Sequence, residues 1–238
     1  MLIKEKYKEK EIFCYNKNYL DLGKKIINLE YKIISLLKDT KRNYVAVIEI
    51  NNKKYVLKEP RNEFRIPQRK LMTLLKKGEV VTTLKNVNEL IEKGFIEFVK
   101  PLVAITKRKN GMICYSSLLM EYYDGIIDVN KKEKMIDLVI KMHNYNVYHG
   151  DFNPGNFLCK ENEIKIIDTQ AKKIRIGNFK KHYDMLTMKL DSYKEMKYPY
   201  KKDIWYYLAL GVKKIKKTKI VEKIKKKKKE LRDKGWKI

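Results

Sequence analysis

From residue 149 the sequence reads His149-Gly150-Asp151-Phe152-Asn153-Pro154-Gly155-Asn156, and Ile164-Lys165-Ile166-Ile167-Asp168 follows shortly after. The two runs supply an Asp, an Asn five residues later and a second Asp after an apolar stretch. Phosphoryl transfer needs this polar set, because one carboxylate accepts the proton of the acceptor hydroxyl while an amide oxygen and another carboxylate hold magnesium. Asp151 and Asn156 keep the kinase spacing H-x-D-x-x-x-x-N, and Asp168 completes the set.

The surrounding pattern separates this interpretation from an ordinary turn, since any Asn-Pro-Gly run is also a turn signal. Before the motif, apolar residues recur at the spacing of one helix face: Met135, Leu138, Val139 and Met142. After it, residues 157–159 and 164–167 read as two short strands around a polar turn. The predicted order of helix, polar loop, hairpin and Asp168 favours a kinase-like catalytic loop.

The charge of the chain indicates an anionic partner surface. Its 238 residues include 56 basic and 29 acidic side chains, a net charge of +27, with 44% hydrophobic residues to build a core. Such an excess is typical of proteins that meet a membrane surface or a nucleic acid. A lysine-rich surface that is merely solvated is the alternative.

Cysteine usage and hydropathy favour a cytoplasmic protein. Cys14, Cys114 and Cys159 are odd in number and contain no C-x-x-C pair, so neither a disulfide framework nor a redox pair is expected. No apolar run approaches the roughly 18 residues that would span a bilayer. The N-terminal residues lack the apolar core of a signal peptide.

The first half of the chain is predicted to be rich in strands and the second half in helices. Strands are expected over residues 32–37, 44–50, 53–58, 98–106 and 113–121, and a helical region over 69–92 with a break or cap at Gly78. Asn51-Asn52 is the predicted turn of a hairpin, because Asn tolerates positive φ. This order predicts an α+β, two-lobed, protein-kinase-like fold. Its expected parts are an antiparallel-sheet N-terminal lobe over residues 1–121, a helical C-terminal lobe over 122–212 and a basic tail over 213–238.

The predicted nucleotide site combines residues of several strands. Lys58 ends a strand-like run and is the candidate for the α- and β-phosphates of ATP. Its orienting glutamate is expected to be Glu79, which opens a helix, with Glu63 as the alternative. Main-chain groups of Glu121 and Tyr123, near the boundary of the lobes, are expected to bind the adenine edge. No glycine stands in residues 37–43, where kinases carry a glycine-rich loop, and Lys38, Lys41 and Arg42 are candidates to supply charge there.

Several runs together resemble a known family: Tyr55-Val56-Leu57-Lys58, Arg61-Asn62-Glu63, Lys77-Gly78-Glu79, Met120-Glu121-Tyr122, Met142-His143, His149-Gly150-Asp151 through Asn156-Phe157, and Ile166-Ile167-Asp168. They are similar to the bacterial lipopolysaccharide core heptose kinases, in the heptose(II) kinase branch. The resemblance implies transfer of the ATP γ-phosphate to a heptose hydroxyl of the inner core. It implies that Asp151 is the base, that Asn156 and Asp168 bind Mg²⁺, that Lys58 holds phosphates and that His149 braces the catalytic loop.

The chain departs from protein kinases after the catalytic loop. Asp168-Thr169-Gln170 replaces D-F-G and no A-P-E segment follows, which favours a small or lipid-linked acceptor over a protein. Residues 213–229 contain eleven Lys and one Glu, or +10 of the +27, and are expected to attract an anionic membrane. Their apolar stripe is narrow (Ile215, Ile220, Val221 and Ile224), so attraction by charge should dominate, with Trp236 at the interface. The expected location is the inner face of the cytoplasmic membrane.

Two other functions fit parts of the pattern. Small-molecule kinases of the aminoglycoside or choline type share the His-Gly-Asp loop with an Asn five residues on. A nucleic-acid-binding protein would explain the charge alone, but no nucleic-acid motif supports it.

Overall fold

The computed structural model describes residues 1–218, together with Lys223, Lys227 and Glu230. The chain divides into two units, residues 1–123 and a second unit that begins at Asp124, two residues after the predicted start of the C-terminal lobe. Apart from those three residues, the predicted basic tail beyond residue 218 lies outside the described part of the chain.

The first unit is a single antiparallel sheet with helices. Its strands are β1 (Ile3–Tyr7), β2 (Lys10–Cys14), β3 (Lys32–Asp39), β4 (Tyr44–Ile50), β5 (Lys53–Glu59), β6 (Pro101–Lys109) and β7 (Met112–Glu121). Its helices are α1 (Tyr19–Asn28), α2 (Asn62–Arg65), α3 (Pro67–Met72) and α4 (Glu79–Glu92). The buried core lies between the sheet and α1 and is formed by aliphatic residues such as Ile12, Leu22, Ile48, Leu57, Val103 and Leu119.

The strand order explains which residues meet. The sheet runs β1-β2-β6-β7-β5-β4-β3, so the last five strands of the unit, β3 to β7, are neighbours within it. In that set β5 is the third strand along the chain, which is where a kinase carries its phosphate-binding lysine. The strands predicted near residues 32–37, 44–50, 53–58, 98–106 and 113–121 are confirmed, with small shifts at their ends.

The turn between β4 and β5 is confirmed in detail. Asn51 and Asn52 both have positive φ, 52° and 60°, as a tight two-residue hairpin turn requires. The hairpin of β1 and β2 and the helix α1 escaped prediction. Strand β2 pairs with β6, and its buried residues Ile12 and Cys14 alternate with the half-buried Glu11 and Phe13. The two strands have only five residues each, and the turn between them has no Gly or Asn. This alternation is therefore the one weak sequence signal for the hairpin.

The predicted helical region over residues 69–92 is two helices. Helix α3 ends at Met72, and α4 begins at Glu79 directly after Gly78. Gly78 has φ 94°, and a Cβ atom there would collide with the side chain of Ile113. Glycine is therefore required both by the backbone conformation and by the close approach to β7.

The second unit is mainly helical. It contains α5 (Lys132–Asn144), β8 (Val147–Tyr148), β9 (Phe157–Lys160), β10 (Glu163–Ile166), β11 (Lys172–Lys173), α6 (Phe179–Asp191) and α7 (Ile204–Lys216). All four residues that predicted α5 are buried in it: Met135, Leu138, Val139 and Met142. The hairpin β9-β10 is confirmed. The predicted α+β class, with an antiparallel sheet first and helices second, is thereby confirmed.

Candidate active site

Lys58 lies on β5 in the interior of the sheet. It is paired with Val45 on β4 and with Leu118 on β7, so its backbone is held on both sides. Its side chain is half-buried. A lysine fixed in this way on the third strand of the kinase-like set is well suited to present one ammonium group to phosphate oxygens.

Glu63 and Glu79 are joined directly. The Glu79 N–H, the first of α4, donates to Glu63 Oε1 at 2.6 Å, and Ser116 Oγ donates to Glu63 Oε2 at 3.2 Å. Glu63 is buried on α2, and burial raises the pKa of its carboxyl while the Glu79 N–H bond opposes that rise. Glu63 thus serves as a distant N-cap of α4, satisfying a backbone donor that the helix leaves unpaired.

This hydrogen bond explains two of the sequence runs together, because both contribute to the N-terminus of α4. Arg61-Asn62-Glu63 supplies the capping carboxylate, and Lys77-Gly78-Glu79 supplies the helix start that it caps. Both oxygens of Glu63 accept hydrogen bonds, and Glu79 stays our prediction for the partner of Lys58, with Glu63 as the alternative. Its position at the first turn of α4 is also where the helix dipole favours a carboxylate.

The glycine-free loop between β3 and β4 is held from α2. Arg61 donates from Nη1 to Asp39 Oδ1 at 2.6 Å and to the Thr40 carbonyl at 3.1 Å, and Arg65 donates to the Lys41 carbonyl at 3.1 Å. Within the loop, Thr40 Oγ1 accepts from the Asn43 N–H at 3.0 Å. The loop where kinases carry glycines is therefore a tight turn fixed by arginines, and nothing in the sequence spacing indicated these contacts.

The chain near the predicted adenine contacts leaves β7. The Glu121 N–H donates to the Lys100 carbonyl at 2.9 Å, so of its two main-chain groups only the carbonyl is a candidate for a base. Tyr123 is the last residue of the first unit. The adenine-binding role of both residues stays a prediction.

The loop after β8 brings Asp151 and Asn156 together. Asn156 Nδ2 donates to the Asp151 carbonyl at 2.7 Å and lies 3.4 Å from its Oδ2. Asn153 adds a bond from Nδ2 to the same carbonyl at 3.1 Å, and its Oδ1 accepts from the Gly155 N–H at 3.0 Å. The Asn-Pro-Gly turn is real, and its bonds hold the Asp151 backbone while the Asp151 side chain is exposed.

A buried carboxylate that the sequence reasoning missed anchors this loop. Asp184, on α6, accepts from the His149 N–H at 2.7 Å and from the Gly150 N–H at 2.9 Å. His143 Nε2 lies 3.2 Å from the same carboxylate, and its other ring nitrogen meets the Tyr200 hydroxyl at 2.6 Å. A sequence signal exists, because Asp184 shares the buried face of α6 with Met185 and Met188. A lone carboxylate on a core face needs partners.

The His149 ring is buried against aromatic side chains. It stacks on Phe157 at 5.3 Å between centroids and lies 6.0 Å from Phe152, and all three are buried. Burial lowers the pKa of His149 against the opposing pull of nearby carboxylates, so the ring is neutral at physiological pH. Its Nδ1 faces the Asp151 N–H at 3.4 Å. A bracing role for His149 stays a prediction.

Asp168 follows β10 and is exposed. The Ile167 N–H just before it donates to the Asn156 carbonyl at 3.1 Å, which keeps the two predicted metal ligands on adjoining segments. Thr169 Oγ1 donates to the His149 carbonyl at 2.8 Å and accepts from the Ala171 N–H at 3.0 Å. The Thr that stands where D-F-G kinases have Phe therefore holds the segment after Asp168 against the loop of His149 and Asp151.

The residues fit a magnesium ion by their donor chemistry. Because the Asn156 amide nitrogen donates to the Asp151 carbonyl, its amide oxygen is the atom that would face a cation. A carboxylate at Asp168 and an amide oxygen at Asn156 are hard oxygen donors of the kind Mg²⁺ takes, with nucleotide phosphates completing its coordination.

An antiparallel-sheet unit followed by a helical unit is the architecture of a kinase-like fold. A family model described as "Lipopolysaccharide core biosynthesis protein (WaaY)" matches residues 1–227, and the chain belongs to this family. It is 24% identical over 183 residues to the lipopolysaccharide core heptose(II) kinase WaaY of Escherichia coli strain K12, covering 73% of this chain and 78% of the relative. A second Escherichia coli protein of that name is 25% identical over 173 residues, covering 67% and 74%.

Among solved structures, the kinase domain of PknI from Mycobacterium tuberculosis aligns with a TM-score of 0.42 at 12% identity, covering 73% of this chain and 78% of that one. The expected resemblance to the heptose(II) kinase branch is confirmed by the family match and the curated relatives, and with it the expectation that the chain is a kinase.

Proposed function

We propose that this protein transfers the γ-phosphate of ATP to a heptose hydroxyl of the lipopolysaccharide inner core. The observation that carries the proposal is the loop that Asp184 holds by the His149 and Gly150 N–H groups, with Asp151 exposed and bonded to Asn156. Membership of a family whose curated relatives are named heptose(II) kinases supports the acceptor.

Each residue has one role in this proposal. Asp151 accepts the proton of the attacking hydroxyl as its oxygen bonds to the γ-phosphorus and the bond from that phosphorus to the leaving ADP breaks. Lys58 neutralises phosphate charge, and Glu79 orients Lys58. Asn156 and Asp168 hold Mg²⁺, which supplies charge stabilisation for the transferred phosphoryl group when bound. Asp184 and Thr169 position the loop without touching the reacting atoms.

A purified-protein assay tests the acceptor. The protein is incubated with Mg-ATP and with core oligosaccharides that contain or lack the second heptose, and products are identified by mass spectrometry. We expect one added phosphate on the heptose-containing oligosaccharide alone. Phosphorylation of choline or an aminoglycoside, with none on heptose, would replace this proposal by the small-molecule kinase alternative.

Asp168→Ala is expected to abolish magnesium-dependent nucleotide binding to a greater extent than Asp151→Asn does. Asp168 would contact the metal that bridges the phosphates already in the ground state, whereas Asp151 acts on the acceptor. Titration calorimetry with Mg-ATP, and with ATP in chelator, measures the metal-dependent part for each variant. Equal affinities of the two variants for Mg-ATP would contradict the assignment of Asp168.

The acceptor is lipid-linked in this proposal, so the enzyme works at an anionic membrane surface on the cytoplasmic side. The lysine run over residues 213–229 supports that location by charge. Within residues 1–218, no helix is long and apolar enough to cross a membrane.

A further inference from the structure

Helix α7 turns an apolar face to solvent. Four large side chains on it are well exposed: Ile204 at 69%, Tyr207 at 62%, Leu208 at 50% and Ile215 at 61%. Residues 204, 208, 211 and 215 follow helical spacing and fall on one side of its three turns. Gly211 lies at the centre of that side, and a Cβ atom there would meet nothing within 4 Å.

The opposite face of α7 is the one packed on the protein, and it includes a charged residue. Ala209 and Lys213 are buried there. Lys213 Nζ pairs with Asp191 Oδ2 at 2.9 Å, and Lys217 Nζ pairs with Asp191 Oδ1 at 2.7 Å. Lys216 Nζ donates to the Tyr183 hydroxyl at 2.6 Å. These contacts with α6 fix the rotation of the helix, so the outward direction of the apolar stripe is built into the fold.

The same contacts show that the first residues of the predicted basic tail belong to a packed helix. Residue 213 lies inside α7, which continues to Lys216, and the first lysines of the run pack on the helical unit. The exposed side chain of Ile176 belongs to a loop beside α7, because the next residue, Gly177, lies against the ring of Trp205.

Lysines surround the stripe. Residues 201–218 contain six lysines and a single acidic residue, Asp203, which caps the N-terminus of α7. Of these lysines, Lys201, Lys202 and Lys214 are exposed next to the apolar side chains. An apolar helix face bordered by lysines is the pattern of helices that lie in the interface of an anionic membrane.

We propose that α7 docks flat on an anionic phospholipid surface, with Ile204, Leu208 and Ile215 entering the boundary between headgroups and acyl chains. The proposal deepens the proposed function, since it supplies the surface by which a kinase for a lipid-linked acceptor would be held. It assigns two parts to the contact. The lysine run beyond α7 attracts the membrane by charge, and the α7 face contributes apolar burial that salt does not screen.

Charge complementarity favours a membrane over a second copy of the chain. Two α7 faces packed together would bring both sets of lysines into one interface, where like charges repel. A stripe of three turns is also small beside the roughly 800 Å² that each partner buries in a stable protein interface. An anionic lipid surface meets both the apolar stripe and its lysine border.

Vesicle binding by the full-length protein, without nucleotide or acceptor, tests the proposal. The variant Ile204→Ser/Leu208→Ser/Ile215→Ser is compared with Leu29→Ser/Leu75→Ser/Ile96→Ser, which removes three aliphatic residues of the first unit that are at least as exposed. Vesicles of phosphatidylglycerol and phosphatidylcholine are sedimented at about 0.1 M and about 1 M salt, where the screening lengths are about 10 Å and 3 Å. We expect the α7 variant to lose about 10-fold to 100-fold in partitioning, with its residual binding abolished by high salt, and the control to match the native protein.

A second pair of variants removes no packing contact. Gly211→Glu places a carboxylate at the centre of the stripe, and Gly211→Ala tests the site without charge; the Cβ atom that both introduce would have no neighbour within 4 Å. Gly211→Glu should weaken vesicle binding about 10-fold or more, and Gly211→Ala should leave it unchanged. Full-length protein with Lys225–Lys229 changed to Gln should lose binding at low salt and keep the fraction that survives high salt.

Two results would overturn the proposal. One is that the triple α7 variant and Gly211→Glu both bind phosphatidylglycerol vesicles as strongly as the unmodified protein does. The other is a native protein that sediments as a dimer in solution and becomes monomeric only in the α7 variants, which would make the face a contact between copies. Kinase activity on a soluble core oligosaccharide is recorded separately, so unchanged vesicle binding by the α7 variants together with intact activity rejects this inference and leaves the proposed function standing.

Discussion

Asp151→Asn should lower turnover by roughly 10²–10⁴-fold while Mg-ATP still binds, because an amide cannot accept the proton of the attacking hydroxyl. The substitution is nearly isosteric, and the Asp151 carbonyl that receives the bonds of Asn153 and Asn156 is untouched. The loop should therefore keep its conformation. Steady-state kinetics with a heptose-containing acceptor gives kcat, and calorimetry gives the affinity for Mg-ATP.

A matched variant shows whether the loss belongs to this carboxylate. Asp137 is also exposed in the second unit, on α5 outside the loop, and Asp137→Asn changes the same charge by the same atoms. It should retain native turnover. Near-normal turnover of Asp151→Asn would remove the base from the mechanism proposed here.

Asp184→Asn is expected to damage both the fold of the loop and catalysis. Its two carboxylate oxygens accept from the His149 and Gly150 N–H groups, and an amide offers only one acceptor oxygen beside a donor NH₂. One buried loop N–H is then left facing another donor, at a cost of about 1–3 kcal/mol. Because Asp151 follows Gly150 directly, the displacement should also lower turnover, by roughly 10²-fold.

Asp191→Asn on the same helix is the control. Asp191 ends α6, is partly exposed and binds Lys213 and Lys217 rather than the loop. Thermal denaturation should show a lower midpoint for Asp184→Asn, by about 2–4 °C for each kcal/mol lost. Only Asp184→Asn should reduce kcat. A stable Asp184→Asn protein with native kcat would show that the loop does not depend on this anchor.

The short-range features of the protein were open to prediction from the sequence. The catalytic loop, the hairpin of β4 and β5 and the hairpin of β9 and β10 each form from residues close in the chain, so spacing, alternation and turn residues carry the information. The same reasoning found Asp151, Asn156 and Asp168 as candidates, because that part of the kinase pattern is local in the chain, and it found Lys58 from its place at the end of a strand.

Long-range partners could not be read in this way. Asp184 lies 34 residues beyond Gly150, and Glu63 lies 16 residues before the helix end that it caps. The sequence does not show whether a carboxylate is buried or exposed. Only the packing of the folded chain decides which hydrogen-bond donors surround that carboxylate. Arg61 likewise was singled out only as part of a run that resembles a family, and nothing in that run indicated its bond to the Thr40 carbonyl.

Helix α7 is a case in which its own sequence does not determine which face is buried. Its own residues determine a helix with an apolar stripe and a lysine border, and that pattern normally predicts that the stripe faces the core. In the tertiary structure the contacts of Lys213, Lys216 and Lys217 with α6 rotate the stripe to solvent. Periodicity specifies which residues share a face, but the neighbouring element decides which face is buried, because burial depends on partners that lie far away along the chain.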